Sequence, residues 1–184
     1  MTWSSLFRFA LVFLLVAQPA MANEYASTIA AFKKATASQG FFDHAYGYAV
    51  FPTIGKGGVV LVGGAHGKGQ VYRGAAMTGR TSVTQLSVGF QLGGEAFSQI
   101  IFFEDKLAYD RFTAGNFEFS AQAQAVAIVI GAQAQTGTTG TSSGAGNMQF
   151  KGIYQNGMAV FTRIKGGLMY EASLAGQKFT FEPG

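Results

Sequence analysis

Between Gly55 and Gly79 no more than four residues pass without a glycine. Each glycine inside a helix costs ~1 kcal/mol relative to alanine, so helix is untenable across this stretch. The short runs between the glycines hold Val59, Val60, Val62, Val71 and Tyr72, residues that fit a pleated, half-buried surface. The chain as a whole has 26 Gly, 18 Phe and 7 Tyr, while only 12% of its residues are charged. Tight turns and packed strands are therefore expected to dominate.

The first residues read differently. Arg8 precedes an unbroken apolar run over residues 9–17, and Ala20-Met21-Ala22 follows as a small-x-small cleavage site. That order is the one a secretory leader presents. The run stops at Gln18-Pro19, short of the ~20 apolar residues a membrane-spanning helix needs. The expectation is a signal peptide over residues 1–22 and one domain over 23–184, exported to the periplasm or secreted, and peripheral on a membrane if bound to one. With no cysteine, burial must stabilise the domain without disulfides. Without Arg8 the remainder holds twelve basic and nine acidic residues, a net charge of +3. Such a charge permits attraction to anionic lipid but falls short of a nucleic-acid-binding footprint.

Along the domain, Tyr25, Ile29, Phe32 and Thr36 recur at helical spacing, which predicts a helix over 24–39 with Gly40 as its stop. A strand over 46–51 follows, closed by Pro52. Residues 59–62 and 70–73 read as the arms of a hairpin turning at Gly67-Lys68-Gly69, with His66 exposed near its tip. Leu86, Val88, Phe90 and Leu92 alternate with small or polar residues as a half-buried strand, and 96–103 forms another. Residues 104–112 predict a short helix, acidic at its start and basic near its end. A strand over 117–125, a Thr/Gly/Ser loop over 133–147 and turns at Gly166-Gly167 and Ala175-Gly176 are also expected. Asn156-Gly157 predicts a two-residue hairpin. The fold expected is α+β: predominantly antiparallel β, as a curved sheet or partly closed barrel, with an N-terminal helix and a short central helix.

No catalytic constellation emerges. Gly140-Thr141-Ser142-Ser143-Gly144 matches the pattern of a nucleophile elbow, but no helix is expected after it, as that motif requires. Two histidines, His44 and His66, and no cysteine leave no zinc-ligand cluster, and Asp43-His44 reads as a local structural pair. Glu104, Asp105 and Asp110 are too bunched to oppose one another as acid and base. Lys56 and Lys68, each between glycines, fail the phosphate-loop pattern. They do place a positive charge beside accessible backbone N–H groups, where an anionic headgroup could sit. The chain reads as a non-enzymatic binding protein with no cofactor and no metal.

The string 47–58, Gly-Tyr-Ala-Val-Phe-Pro-Thr-Ile-Gly-Lys-Gly-Gly, resembles the opening signature of the SYLF lipid-binding domain family. Residues 63–73 are similar to its glycine-rich hairpin, 84–94 to its next strand, and 165–168 through 174–176 to its closing segment. The resemblance covers roughly residues 35–181. It implies binding to phosphoinositides and other anionic membranes without catalysis, with actin binding in some members and envelope or secreted roles in bacteria. Carried onto this chain it assigns headgroup contact to Lys56, Lys68 and Arg73, and membrane contact to the N-terminal helix with Lys33 and Lys34. The expected partners are anionic phospholipids or a membrane surface, with proteins as further candidates, but not nucleic acid. The alternatives are a small outer-membrane β-barrel, an envelope structural or protein-interaction module, and a hydrolase acting through Ser142.

Overall fold

The computed structural model describes residues 17–119, 128–130, 154–167, 174 and 176–184. Helix α1 (Ala17–Lys34) and the single turn α2 (Phe41–His44) precede two very long strands, β1 (Gly47–Arg73) and β2 (Ala76–Phe103). Then come α3 (Lys106–Thr113), β3 (Phe117–Glu118), β4 (Ile128–Ile130), β5 (Met158–Gly167) and β6 (Gln177–Pro183). Among the described residues all strand pairings are antiparallel except the short parallel β4–β5 ladder at one edge. The sheet runs β3-β6-β2-β5-β4, with β1 also paired to β2, and it curls into a half-barrel. The α+β class and the predominantly antiparallel, curved sheet are as the sequence leads one to expect.

One strand, β2, organises the sheet. Its first part pairs with β6 (Gly79↔Pro183 to Gln85↔Gln177) and its last part with β5 (Glu95↔Gly167 to Phe103↔Met158), while β1 lines it from Arg73↔Ala76 to Gly47↔Phe103. Bulges in the β1–β2 ladder bend it between Phe51 and Ile54, Val60 and Val62, and Val71 and Tyr72. Pro52 sits in the first of these, where a missing N–H costs no ladder bond. The bent hairpin brings the two halves of β1 against each other. A methyl group at Gly69 would lie 2.6 Å from the Phe51 ring and 2.8 Å from the Val50 carbonyl oxygen. One at Gly67 would lie 2.8 Å from the Thr53 carbonyl oxygen. Glycine at 67 and 69 thus permits the close approach that curls the sheet.

Both faces of the central strands are covered, so their alternating residues enter two cores. Ala49, Phe51, Phe97, Ile101, Phe103 and Val160 face inward with Phe112 of α3 and Phe179 of β6. Val50, Ile100, Phe102 and Phe161 face outward and pack under Tyr25 and Phe32 of α1 and Phe41 of α2. Each fully buried Phe contributes ~1.5–3 kcal/mol, which suits a domain held by burial alone. A polar junction, Thr53 Oγ1 to Glu24 Oε1 at 2.7 Å and Lys165 Nζ to both, ties α1 to β1 and β5.

Several expectations need correction. The first helix ends at Lys34, not at residue 39, because the Ser38 hydroxyl donates to the Phe32 carbonyl (2.6 Å) and turns the chain. Gly40 has ordinary right-handed dihedrals and leads into α2 rather than capping α1. No turn occurs at 67–69: both expected hairpin arms belong to β1, His66 is exposed in mid-strand, and the hairpin turns at Gly74-Ala75. Leu86 is 85% exposed, because Val83 and Gln85 take the inward positions there and set the opposite phase. Gly166 and Gly167 continue β5 instead of turning. In the short central helix Asp105 is the cap, its carboxylate accepting from the Ala108 N–H at 2.8 Å. Asn156 (φ 53°) and Gly157 (φ 79°) form the expected hairpin turn, both left-handed. Residues 1–16 of the expected leader, the expected small-residue strand over 120–125, the Thr/Gly/Ser loop and the Ser142 motif lie outside the described residues.

Candidate functional site

Helix α1 ends on Lys33 and Lys34, and its last turn points toward the start of β1. The four-residue helix α2 then places Phe42 beneath the first lysine: the Lys33 ammonium lies 5.3 Å from the Phe42 ring centroid, a cation–π contact. Phe42 meets Tyr48 edge-on at 5.3 Å, and Tyr48 stacks on Tyr72 at 5.0 Å with the rings 13° apart. Since Tyr72 lies next to Arg73, this stack carries the β1–β2 turn to the end of α1. The result is a half-open cleft of about 550 Å³ lined by Lys33, Phe42, Asp43, Tyr48, Gly74 and Ala75.

The electrostatics of the cleft are mixed. Burial pushes the Tyr48 phenol up to about 12, with the neighbouring Tyr72 adding to it, so it stays protonated and able to donate. Lys33 and Asp43 are both exposed, and neither forms an ion pair among the described residues. His44 does not pair with Asp43 as expected; its Nδ1 meets the Gly40 carbonyl at 2.8 Å. Just beyond the turn stands Lys106 at the head of α3. Its hydrogen bond with Asp110 raises it, and the Arg73 guanidinium close by opposes this. The same end of the molecule presents Met77 (41% exposed) and Leu107 (65% exposed).

The structure divides the five cations singled out from sequence. Lys33 lines the cleft, Lys34 is its neighbour at the end of α1, and Arg73 stands next to the Gly74-Ala75 turn that forms part of the cleft wall. Lys68 is exposed on β1 opposite Ser82, about 16 Å along the strand from Arg73. Lys56 lies opposite Glu95, a buried residue whose two carboxylate oxygens accept no hydrogen bond among the described residues. Burial raises the Glu95 carboxyl and the Lys56 charge lowers it, with burial prevailing. Phe42, Asp43, Tyr48 and Lys106 complete the pole; the sequence offered Asp43 only as a local partner of His44 and Tyr48 only within the 47–58 string, because each reaches the pole by packing across elements. Among the described residues no three His, Cys, Asp or Glu side chains group as a metal site. Nor is any described helix long and apolar enough to cross a membrane.

Residues 84–183 match the family described as Ysc84, Las17-binding protein actin regulator. Beta cell expansion factor A of Aeromonas veronii is similar, 27% identical over 148 residues that cover 75% of this chain and 46% of that protein. The chain thus spans about half the length of this curated relative. No solved structure matches it.

Proposed function

The chain belongs to the Ysc84 family, Las17-binding protein actin regulators, and from that premise we propose that it is an exported, non-enzymatic module that docks on anionic phospholipid. The observation that carries the reading is the pole itself: Lys33 lines the cleft, Lys34 follows it at the end of α1, and Arg73 precedes the Gly74-Ala75 turn on the cleft's other side, with Met77 and Leu107 exposed. Cations attract headgroups at ~1 kcal/mol each near an anionic surface, and the apolar side chains add burial at the interface. Lys68, on the exposed side of β1, adds to the long-range attraction, while Lys56 lies opposite the buried Glu95, whose carboxyl its charge lowers. The outer face of the central strands is packed under α1 and α2, which weighs against a lipid-facing barrel wall there.

Co-sedimentation with phosphatidylglycerol and phosphatidylcholine vesicles across a salt series tests the proposal. Retention by the anionic vesicles alone, lost as salt rises, is the expected result; equal behaviour on both vesicles overturns it. Recovery in an osmotic-shock fraction tests export, and a requirement for detergent would instead favour the barrel. The family's description also supports a protein-interaction role, and a salt-insensitive protein partner with no vesicle retention would favour that second reading.

A further inference from the structure

The cleft at the pole holds both signs of charge. Lys33 is held over the face of Phe42, and the next residue, Asp43, lines the same cavity. The two do not pair with each other, and no other described residue neutralises either of them. Tyr48, which also lines the cleft, makes no side-chain hydrogen bond among the described residues. A bare anion drawn to Lys33 meets the Asp43 carboxylate, and a bare cation drawn to Asp43 meets the Lys33 ammonium. A ligand carrying an anion and a primary ammonium a few ångströms apart satisfies both at once.

We propose that this cleft is a recognition site for a zwitterionic phosphoethanolamine group. Its phosphate is taken by Lys33 and the donating Tyr48 hydroxyl, and its ammonium by Asp43. A carboxylate accepts hydrogen bonds from a primary ammonium but finds no N–H on a quaternary one, so phosphocholine is the poorer ligand. The face of Phe42, which would otherwise hold a quaternary ammonium, is already taken by Lys33. At about 550 Å³ the cleft falls within the ~300–1,000 Å³ of ordinary small-molecule sites, and it is half-open, as a headgroup tethered to a surface requires. This deepens the lipid-surface reading and rests on it for the source of the ligand: Lys34 and Arg73 bring the pole to the membrane, and the cleft selects one headgroup there.

Calorimetric titration of the full chain with O-phosphoethanolamine, inorganic phosphate, ethanolamine and phosphocholine tests it. The site predicts saturable binding of phosphoethanolamine, each of the other three being roughly fivefold weaker, the size of one exposed ion pair. Asp43→Asn should weaken phosphoethanolamine by roughly fivefold while leaving or raising retention on phosphatidylglycerol vesicles. Lys33→Gln should weaken both. Retention on phosphatidylethanolamine/phosphatidylcholine vesicles above phosphatidylcholine alone identifies the lipid as the source; binding of the soluble compound alone supports the site with a free ligand. No saturable phosphoethanolamine binding, or an Asp43→Asn variant that binds it like the wild type, overturns the proposal. Phosphatidylglycerol retention in that case still upholds the anionic-surface reading. Loss of that retention with phosphoethanolamine binding intact overturns the anionic-surface reading alone.

Discussion

Gln99 and Gln177, 78 residues apart in the chain, exchange two amide hydrogen bonds inside the half-barrel: Gln99 Nε2 to Gln177 Oε1 at 2.9 Å, and Gln177 Nε2 to Gln99 Oε1 at 3.2 Å. Both side chains are fully buried. The pair joins β2 to β6 through the interior, on the face that also carries Phe97 and Phe179. Replacing one amide leaves the other without a partner in a dry site, which costs ~1–3 kcal/mol, whereas replacing both removes the need. Gln99→Leu and Gln177→Leu should each lower urea-unfolding stability by about 2 kcal/mol. The double variant should lose less than the sum of the two, and an additive cycle would show the pair to be uncoupled.

Thr162 lies opposite Gln99 on β5, is fully buried, and its hydroxyl has no hydrogen-bond partner among the described residues. Valine has nearly its shape without the unsatisfied oxygen. Thr162→Val should therefore raise stability by about 1 kcal/mol, the usual size of a relieved buried hydroxyl. Thermal melting of the two proteins at equal concentration reads this directly, and a lower melting temperature would contradict it.

Gly69 is where β1 comes against its own beginning. Even alanine there would drive a methyl into the Phe51 ring and the Val50 carbonyl. Gly69→Ala should destabilise by about 1–3 kcal/mol, as overpacking does elsewhere. Gly55→Ala, with open space around its added methyl, is the control and should stay within about 0.5 kcal/mol.

Glu95 gives a pH dependence of definite sign. Burial holds its folded carboxyl above the ordinary value of 4.5, so the folded state binds the proton more tightly than the unfolded one. Its favourable contribution is complete below pH 4.5 and is lost as pH rises through the folded value. Glu95→Gln, fixed in the neutral form, should be more stable than wild type at neutral pH, and the advantage should vanish below pH 4.5. Urea midpoints from pH 4 upward check both limbs.

At the pole, Lys34→Gln and Arg73→Gln should each weaken vesicle binding about fivefold at low salt, the equivalent of ~1 kcal/mol per cation. Lys68→Gln, away from the cleft, should cost clearly less. Equal losses at all three positions would mean that net charge, not the pole, governs attraction, and co-sedimentation at a single low ionic strength distinguishes the two.

Much of this protein was legible locally. The glycine spacing excluded helix from the middle of the chain, Asn156-Gly157 gave its turn, and the Tyr25–Phe32 stripe gave the buried side of α1. Such features depend on backbone dihedrals and on periods of two or 3.6 residues, which neighbours in sequence set. The same local reading put a hairpin at Gly67-Lys68-Gly69. Glycine there answers to the backbone of Val50 and Thr53, and no local pattern distinguishes a turn from a close approach. Leu86 took the opposite face because strand phase is set by which partners cover the sheet.

The candidate site divides along the same line. The sequence alone determined which residues could attract an anion, since charge belongs to the side chain. The tertiary structure decided which of them act together. The stack of Tyr48 on Tyr72 ties the end of β1 to the cleft that Lys33 lines, the ladder sets Lys56 opposite Glu95, and Asp43 lines the cleft with Lys33. Attraction between such groups falls away over several ångströms, so a shared site exists only where long-range packing closes those distances.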